Sequence, residues 1–296
     1  MSPLACRLCG GTAGPFTADG MCEDCAQGVE PGLYDIPAEL YHADPVPGRS
    51  LSSTGARTLA TQCPAAYKYT LDNPQPFKKA FDIGTAAHKL VLDDGPELVL
   101  VDAAKWNTDA IRAEVAAIRA EGKVPLKRAD LDQVHAMAAA LLTHEEAARL
   151  LDPGSGAAEQ SAFWNDGGIW RRARFDWLRH DGQIVDYKTT RSARPDDLPH
   201  TIHTYGYHQQ QEWYTDAGAT LGVADADRPM QFVFQETQPP YLVTVTTCDP
   251  VGRSIGRHLN ERALNTFALC AETGMWPGYL PAPVTALPAW VERQYA

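Results

Sequence analysis

The sequence predicts a protein of the α/β or α+β class, in which helices flank a small mixed central sheet and a short metal-bound module comes first. Three observations predict this class. Between residues 51 and 142, apolar residues recur mainly at helical spacing. From Ala158 onward the period shortens to two, and strand-like runs follow one another. Four of the seven cysteines lie within the first 28 residues, where large apolar side chains are few.

The first element is a cysteine-rich module. Its four cysteines follow C-x2-C-x12-C-x2-C, the spacing of a structural zinc knuckle or ribbon, and are Cys6, Cys9, Cys22 and Cys25. Bound Zn²⁺ would supply folding free energy that so small a core cannot. Redox-active cysteine pairs or an iron–sulfur cluster are the alternatives. We expect a zinc module at residues 1–28, a linker at 29–48 and the main domain at 49–296.

Helices are expected to dominate the first half of the main domain. Leu51-Ser52-Ser53 is an N-cap signal, and Cys63-Pro64 should end the helix that follows. A short strand is predicted at Leu98–Val101. Further helices are predicted at Ala65–Leu71 and Phe81–Asp93. In the second of these, Gly84-Thr85-Ala86-Ala87 form a small-residue face that allows close packing, with His88 at the centre of the helix. Apolar residues at helical spacing predict two amphipathic helices, at Ile111–Ile118 and Leu131–Leu141.

The second half carries the predicted sheet. Alternating runs separated by glycine-containing turns predict antiparallel strands at Ala158–Trp164, Ile169–Arg179 and Ile184–Thr189. A helix at Tyr205–Ala217, a hairpin formed by Met230–Glu236 and Tyr241–Thr247, and a helix at Ser254–Glu272 should follow. The tail from Trp276, rich in proline and aromatic residues, should wrap the surface.

The turn before Ile184 sets the register of two strands. A three-residue loop, His180-Asp181-Gly182 with positive φ at Gly182, places Asp176 opposite Asp186 and Arg174 opposite Lys188. A two-residue turn would instead set Trp177 opposite Asp186. We favour the longer loop, because opposed carboxylates can share one cation, and because 172, 174 and 176 are then one polar face against a buried face at 173, 175 and 177.

Composition limits the kinds of partner. Residues are 44% apolar and 21% charged, as in soluble globular proteins, and no apolar run approaches the ~20 residues of a membrane span. No secretion signal is evident, so we expect a cytoplasmic protein without membrane contact. The net charge of −11 argues against coating nucleic acid with the whole surface. Residues 171–194 nevertheless hold seven Lys or Arg against three Asp, a local excess of four positive charges.

Four sequence patterns carry chemistry, and together they resemble a known superfamily. They are Gly84-Thr85-Ala86-Ala87-His88, Arg172-x-Arg174-x-Asp176, Asp186-x-Lys188 and Gln210-x-x-x-Tyr214. This set resembles the PD-(D/E)xK nuclease superfamily and its RecB-like branch, which implies a restriction-endonuclease-like core. Further motifs resemble RecE-type (exodeoxyribonuclease VIII-like) phage exonucleases, namely Ile184–Thr190, Tyr205-Gly206-Tyr207-His208-x-Gln210 and Gly274-x-Trp276-Pro277-Gly278-Tyr279. The resemblance covers about residues 33–290 and leaves the cysteine module outside.

This resemblance implies a function. The protein would be a metal-dependent DNA exonuclease that digests linear duplex ends, in the 5′-to-3′ direction, as phage-type homologous recombination requires. The 3′ single strands would pass to a single-strand annealing protein. A homo-oligomer is implied, and the host cytoplasm as location if a phage encodes the chain.

The resemblance also implies roles for particular residues. Asp176, Asp186, His88 and the Tyr187 backbone carbonyl would bind Mg²⁺ or Mn²⁺. Lys188 would orient the attacking water or offset charge on the phosphate. Two helical residues would brace the site or contact the DNA backbone, and these are Gln210 and Tyr214. Arginines expected to contact phosphates are Arg172, Arg174 and Arg191. Glu159 is a further, outer acidic candidate.

Other readings remain open. A CRISPR-adaptation-type or repair nuclease of the same superfamily would carry the same residues. The other alternative is an inert DNA-end or protein-binding module that uses the zinc knuckle, and such a binder has no need of all four of His88, Asp176, Asp186 and Lys188. Taken singly, a helical histidine is most often a packing residue, Asp186 and Lys188 could be a surface ion pair, and Tyr214 could belong to the core.

Overall fold

The protein is described by a computed structural model over residues 29–46, 49–73, 83–103, 105–281 and 284–295. The predicted zinc module with its four cysteines lies outside these described residues. Residues 29–46, predicted to be linker, contribute a strand and a helix to the fold. Among the described residues, none of the helices combines the length and apolarity needed to cross a membrane.

Helices and strands alternate along the described chain. The helices are α1 (Ala38–Ala43), α2 (Ser53–Thr61), α3 (Pro64–Asp72), α4 (Ile83–Leu92), α5 (Asp109–Ala120), α6 (Arg128–Thr143), α7 (Glu145–Leu150), α8 (Leu198–Tyr205), α9 (Tyr207–Thr220), α10 (Pro250–Thr273) and α11 (Ala289–Tyr295). The strands are β1 (Gly32–Tyr34), β2 (Leu51–Ser52), β3 (Leu98–Leu100), β4 (Val124–Leu126), β5 (Gly156–Asp166), β6 (Ile169–Arg179), β7 (Ile184–Thr190), β8 (Gln231–Glu236) and β9 (Val243–Thr246).

The central sheet is mixed. Its strands lie in the order β1-β5-β6-β7-β8-β9, with β2 paired to β6, while β3 and β4 form a separate pair. β7 runs parallel to β8 and β2 runs parallel to β6, whereas the other pairs of the central sheet are antiparallel. The predicted mixed sheet flanked by helices is therefore confirmed.

Strands β6 and β7 have the register that the three-residue loop predicts. Trp177 pairs with Val185 and Leu178 pairs with Ile184, and Gly182 has a φ of +78°. Beyond Val185 the two strands separate, because the Asp176 carboxylate accepts the Tyr187 N–H over 2.9 Å in place of a strand carbonyl. The other end of β6 pairs with β2 instead. The separation opens the sheet beside Asp176.

Two buried clusters pack on opposite faces of the sheet. The first core lies under α2, α9 and α10 and includes Phe175, Trp213 and Phe232. The second core lies under α4, α6 and α7 and includes Met137, Trp177 and Val233. Packing on both faces explains why β8 is almost entirely buried.

The buried side chains of β6 switch from one face of the sheet to the other on either side of Asp176. Phe175 lies in the first core, yet Trp177 lies in the second, so the predicted single buried face at 173, 175 and 177 is wrong. The physical reason lies in β5, where Glu159 adopts a φ of +52° and interrupts the regular pleat. The side chains before and after this point therefore face opposite sides.

The helix predicted at Tyr205–Ala217 corresponds to α9, Tyr207–Thr220, whereas α8 before it was not predicted from the sequence. Gly206 adopts a left-handed φ of +69° and ends α8, and α9 begins at the next residue.

Candidate metal centre

Three side chains from three separate elements converge beside the sheet. His88 on α4 lies between Glu159 on β5 and Asp176 on β6, with Nδ1 3.2 Å from Glu159 Oε1 and Nε2 3.1 Å from Asp176 Oδ2. Their ligand atoms all lie within 4.8 Å of one another. One imidazole and two carboxylates at such separations can hold a divalent cation.

The small residues of α4 bring His88 close to the sheet. Ala86 and Ala87 are fully buried in the second core, so the helix backbone approaches the strands closely. The His88 ring lies 6.0 Å from the Tyr187 ring, measured between centroids. The predicted small-residue face thus has a definite use, since larger side chains there would push the imidazole away from its carboxylates.

Glu159 sits at a strained point of β5. Continuing the register of β5 and β6 places it opposite Asp176, between the pairs Ala158–Trp177 and Gln160–Phe175. Its φ of +52° is unfavourable for a residue with a long side chain, and such strain is concentrated at functional sites. The strain turns the carboxylate toward His88, and Arg174 Nε holds its other oxygen.

The Asp186–Lys188 pair adjoins these three residues. Lys188 Nζ lies 2.5 Å from Asp186 Oδ2, and the Gln210 side-chain amide donates to Asp186 Oδ1 over 3.0 Å. Asp186 is 0% exposed, so the pair is a buried one and not a surface ion pair. Among the described residues, Asp186 is not part of the group whose ligand atoms lie within 4.8 Å.

The carboxylates of the cluster differ in their affinity for protons. Burial, with the charge of Asp176 added, raises the pKa of Asp186 to about 7. Burial would also raise the pKa of Asp176, but the charges of His88 and Lys188 outweigh it and hold that pKa below its usual value. The pKa of Glu159 is raised by burial and by the Asp176 charge. Asp186 and Glu159 thus hold a proton more strongly than an ordinary carboxyl group, and Asp176 holds one less strongly.

The two bases of the cluster are held in their charged forms. Burial opposes the charge of His88, yet the Asp176 carboxylate raises its pKa above the ordinary histidine value. Burial likewise opposes the charge of Lys188, and the charges of Asp186 and Asp176 raise its pKa. The protonated His88 ring and the Lys188 ammonium thus offset the negative charge of the carboxylates. The donor set fits a hard divalent cation, which could take the place of the proton on one His88 nitrogen.

The cluster opens into a cavity of about 860 Å³. Its walls include His88, Glu159, Arg174, Lys188 and Tyr207. The volume is that of a site for a substantial ligand. His88, Glu159 and Lys188 therefore face a space that substrate can enter.

Two predicted residues are held by contacts within the protein. Tyr214 is buried in the first core with its ring edge-on to Phe175 at 5.5 Å, and it shares a hydrogen bond with the Gln210 side chain. Its role in bracing the site or contacting the DNA backbone stays a prediction. Tyr187 donates its N–H to Asp176 and its hydroxyl to Gln235. Its predicted role as a carbonyl ligand stays a prediction.

Two arginines predicted to contact phosphate have internal partners, and their contacts with phosphate stay predictions. Arg172 is 15% exposed, lies 2.6 Å from Asp44 Oδ2, and donates to Ser50 Oγ over 2.8 Å. Arg174 donates to the Ile36 carbonyl and to Ser161 Oγ besides holding Glu159. Both guanidiniums are occupied by internal partners, which strand alternation alone cannot reveal. Arg191 is exposed, and its predicted contact with phosphate stays a prediction.

Glu159 is the residue whose role the sequence underestimates. Strand pattern gives it an outer position, because a positive φ in a glutamate has no sequence signal. No spacing rule connects a residue at this position of β5 with His88 on α4, so the sequence does not predict their contact.

Comparison with known proteins agrees with this geometry. The profile of a family described as PDDEXK-like domain of unknown function (DUF3799) matches residues 52–280. A crystal structure of a "putative exonuclease" from Eubacterium rectale has the same fold, with a TM-score of 0.53, 13% identity, and coverage of 85% of this chain and 97% of that one. The crystal structure of SSO0001 aligns with a TM-score of 0.25 and 15% identity over 62% of this chain and 84% of that one. No curated protein matches the sequence.

Proposed function

This chain belongs to the family of PDDEXK-like domains of unknown function, within the PD-(D/E)xK nuclease superfamily, and on that premise we propose that it is a metal-dependent DNA nuclease. The observation that carries the proposal is His88 lying between Glu159 and Asp176 beside the buried Asp186–Lys188 pair. A protein that only binds DNA has no need of this arrangement, since burying so many charges is costly.

The chain's own residues divide the work as follows. Asp176, Glu159 and His88 would hold a divalent cation, with Asp186 and the Tyr187 carbonyl as further candidates and Mg²⁺ or Mn²⁺ as the ion. When bound, such a cation supplies Lewis-acid polarisation of a phosphate and lowers the pKa of a coordinated water. Gln210 fixes the Asp186 carboxylate through its amide.

Lys188 has the role of stabilising charge on the reacting phosphate. Its ammonium is kept protonated by Asp186 and faces the cavity, so it can offset negative charge that develops on phosphate oxygens. The ring of Tyr207 lies under the ammonium at 5.2 Å, which limits where the side chain can move.

The finer activity follows from the resemblance to RecE-type exonucleases. We propose digestion of linear duplex DNA from its ends in the 5′-to-3′ direction, which leaves 3′ single strands for a single-strand annealing partner in phage-type recombination. A homo-oligomer around DNA belongs to the same proposal. The likeness to a protein described as an exonuclease supports the end-directed mode.

An end-labelling experiment tests the activity. Linear duplex DNA labelled at the 5′ or the 3′ end is incubated with Mg²⁺, Mn²⁺ or EDTA, with a closed circular duplex as control. We expect cation-dependent release of the 5′ label first and no cutting of the circle. Cutting of the circle would contradict the end-directed mode, and no hydrolysis with any cation would overturn the nuclease proposal.

A conservative substitution tests the assignment of residues. Asp186→Asn keeps the size of the side chain but removes the charge that pairs with Lys188. We expect loss of cleavage with DNA binding largely retained, measured by the same assay and by binding in EDTA. Undiminished cleavage by this variant would contradict the assigned role of Asp186.

The cysteine module is proposed to be a separate zinc site. Cys6, Cys9, Cys22 and Cys25 have the spacing of four tetrahedral thiolate ligands. We expect about one zinc per chain by elemental analysis, lost in the double variant Cys22→Ser/Cys25→Ser, whereas Cys63→Ser should retain it. Absence of zinc from the unaltered protein would refute this site.

A further inference from the structure

A second groove begins where the metal centre ends. It has a volume of about 650 Å³ and shares Thr189 and Tyr207 with the cavity at the metal centre. Arg191, His200, Thr204 and Tyr205 line the rest of its length with other hydroxyl-bearing residues. Strand β7 runs from Lys188 at the metal centre to Thr189 in this groove. A chain that extends from the metal centre along β7 would therefore enter the groove.

The charge of the second groove differs from that of the protein. The chain has a net charge of −11, and acidic residues such as Asp35, Glu39 and Asp94 stand on the walls of the first cavity. Among the described residues that line the second groove, by contrast, none is a carboxylate. Arginine, imidazole and hydroxyl groups suit the phosphates of an anionic chain.

An exposed aromatic ring stands on the wall of this groove. Tyr205 is 55% exposed, and its ring stacks on that of Tyr207 with centroids 5.6 Å apart and planes at 21°. Tyr207 in turn lies under the Lys188 ammonium. The two rings thus form a short aromatic row that leads from the lysine of the metal centre into the groove.

The backbone holds Tyr205 in a defined position. Gly206, with its φ of +69°, turns the chain between α8 and α9, and Arg57 Nη1 donates to the Tyr205 carbonyl. A Cβ at Gly206 would come within 2.7 Å of Arg57 Cδ, so glycine is needed for this close approach. A fixed backbone with an exposed ring is suited to a ligand that stacks on it.

We propose that the second groove binds a single-stranded DNA segment continuous with the strand at the metal centre, with one base stacked on Tyr205 and one phosphate beside Arg191. This inference rests on the proposed nuclease function. A single strand is required, because bases within a duplex are already stacked on one another, whereas an unpaired base offers a free face to an aromatic side chain.

A binding experiment in EDTA tests the stacking contact without hydrolysis. Single-stranded oligonucleotides carrying the fluorescent base 2-aminopurine are titrated with the full chain. We expect quenching on binding, and in Tyr205→Ala a loss of quenching with affinity about 5- to 100-fold weaker. Tyr205→Phe should bind as the unaltered protein does, because the ring remains. Tyr69→Ala removes a tyrosine outside the groove that is even more exposed, 70% against 55%, and should have no effect.

A salt titration tests the phosphate contact. Arg191→Gln should lower the slope of log affinity against log salt by about 0.7, the value for one phosphate of a single strand. Arg194→Gln is the matched control, because Arg194 pairs with Asp196 and does not line the groove. An unchanged slope in Arg191→Gln would remove this residue from the contact.

The outcomes separate this inference from the nuclease proposal. Hydrolysis by the unaltered protein, with equal single-strand binding by Tyr205→Ala and Tyr205→Phe, overturns the groove while the nuclease stands. Tyr205-dependent quenching without hydrolysis under any cation supports the groove while the nuclease falls. Thermal unfolding of each variant shows whether a weak binder is folded, and Tyr205→Phe provides the folded reference.

Discussion

His88 is the residue on which the metal centre depends. Its two ring nitrogens face carboxylates from two different strands, Glu159 and Asp176, so the imidazole holds the site together when it is protonated. A bound cation excludes the second proton of His88, since the ligating nitrogen must be deprotonated while the other nitrogen keeps its hydrogen. The same side chain therefore serves as a counter-ion without a cation and as a ligand with one.

Glu159 should matter more than its position in the sequence indicates. We predict that Glu159→Gln weakens Mn²⁺ binding at least about 10-fold, because one of two carboxylates in the group is lost. Isothermal titration with Mn²⁺ measures the change. Asp94→Asn removes a carboxylate from the wall of the same cavity but not from the ligand group, so it should bind Mn²⁺ normally. Equal affinity in both variants would exclude Glu159 as a ligand.

Arg172 should act on stability and not on DNA. Its ion pair with Asp44 is almost buried, so Arg172→Met leaves a carboxylate without its partner, and we predict a loss of about 3 kcal/mol in the free energy of unfolding. Urea denaturation measures it. The double variant Arg172→Met/Asp44→Asn should recover part of the loss, since no unpaired charge remains. A reduced salt dependence of DNA binding in the single variant would instead revive Arg172 as a phosphate contact.

At the scale of elements, turn chemistry was readable from sequence and backbone strain was not. Gly182 in the loop before β7 predicted the register of β6 and β7 correctly, because a positive φ is needed there and glycine supplies it. Glu159 adopts a positive φ without any such signal, so the exchange of faces at Trp177 was missed. Tertiary contacts decide that conformation, and a single sequence does not list them.

The helices likewise include features that the sequence predicts and contacts that it does not. The N-cap signal predicts α2, the small-residue face predicts α4, and periodic apolar residues predict α6, each at nearly its observed position. Asp186, Lys188 and Gln210 were predicted as one site and do lie in contact. The internal partners of Arg172 and Arg174 could not be predicted in the same way. These partners, Asp44 and the Ile36 carbonyl, lie more than 120 residues away in the sequence.

Close packing of α9 against α10 should fix Gln210 in place. A Cβ at Gly256 on α10 would lie 2.2 Å from the His208 carbonyl oxygen of α9, and neither backbone can yield without separating the helices. We predict that Gly256→Ala lowers the free energy of unfolding by about 1–3 kcal/mol and lowers cleavage with it. Gly278→Ala, which meets nothing within 4 Å, is the control. Unchanged stability in Gly256→Ala would show that the helices can part freely.

At the scale of the whole molecule, the sheet joins two cores whose boundary is the site. The first core holds Gln210 through α9, the second core positions His88 through α4, and β7 carries Lys188 between them. The paired part of β6 and β7 ends next to Asp176, whose carboxylate accepts the Tyr187 N–H. Clustered buried charge lowers the free energy of unfolding of the whole domain. Cation binding at the cluster should therefore raise that free energy measurably.

The pH dependence of that stabilisation follows from the proton balance. Without a cation, folding raises the pKa of Asp186 to about 7 and raises the pKa of His88 above its ordinary value. The folded state then binds more protons than the unfolded state, so the contribution of both groups to stability falls as pH rises, for Asp186 between about 4 and 7 and for His88 above about 6.5. Asp176, whose pKa is lowered, changes stability only in acid, below this range.

A cation should therefore stabilise the protein more at high pH. We predict that Mn²⁺ at about 100 times its Kd adds about 2.7 kcal/mol to the free energy of unfolding at pH 8.5. At pH 6 the same concentration should add less, because protons on His88 and Asp186 compete with the ion. Thermal unfolding at matched ionic strength measures both, with Asp176→Asn as the variant expected to lose the effect. Equal stabilisation at both pH values would mean that the cation binds away from this cluster, since binding at the cluster must displace protons in this range.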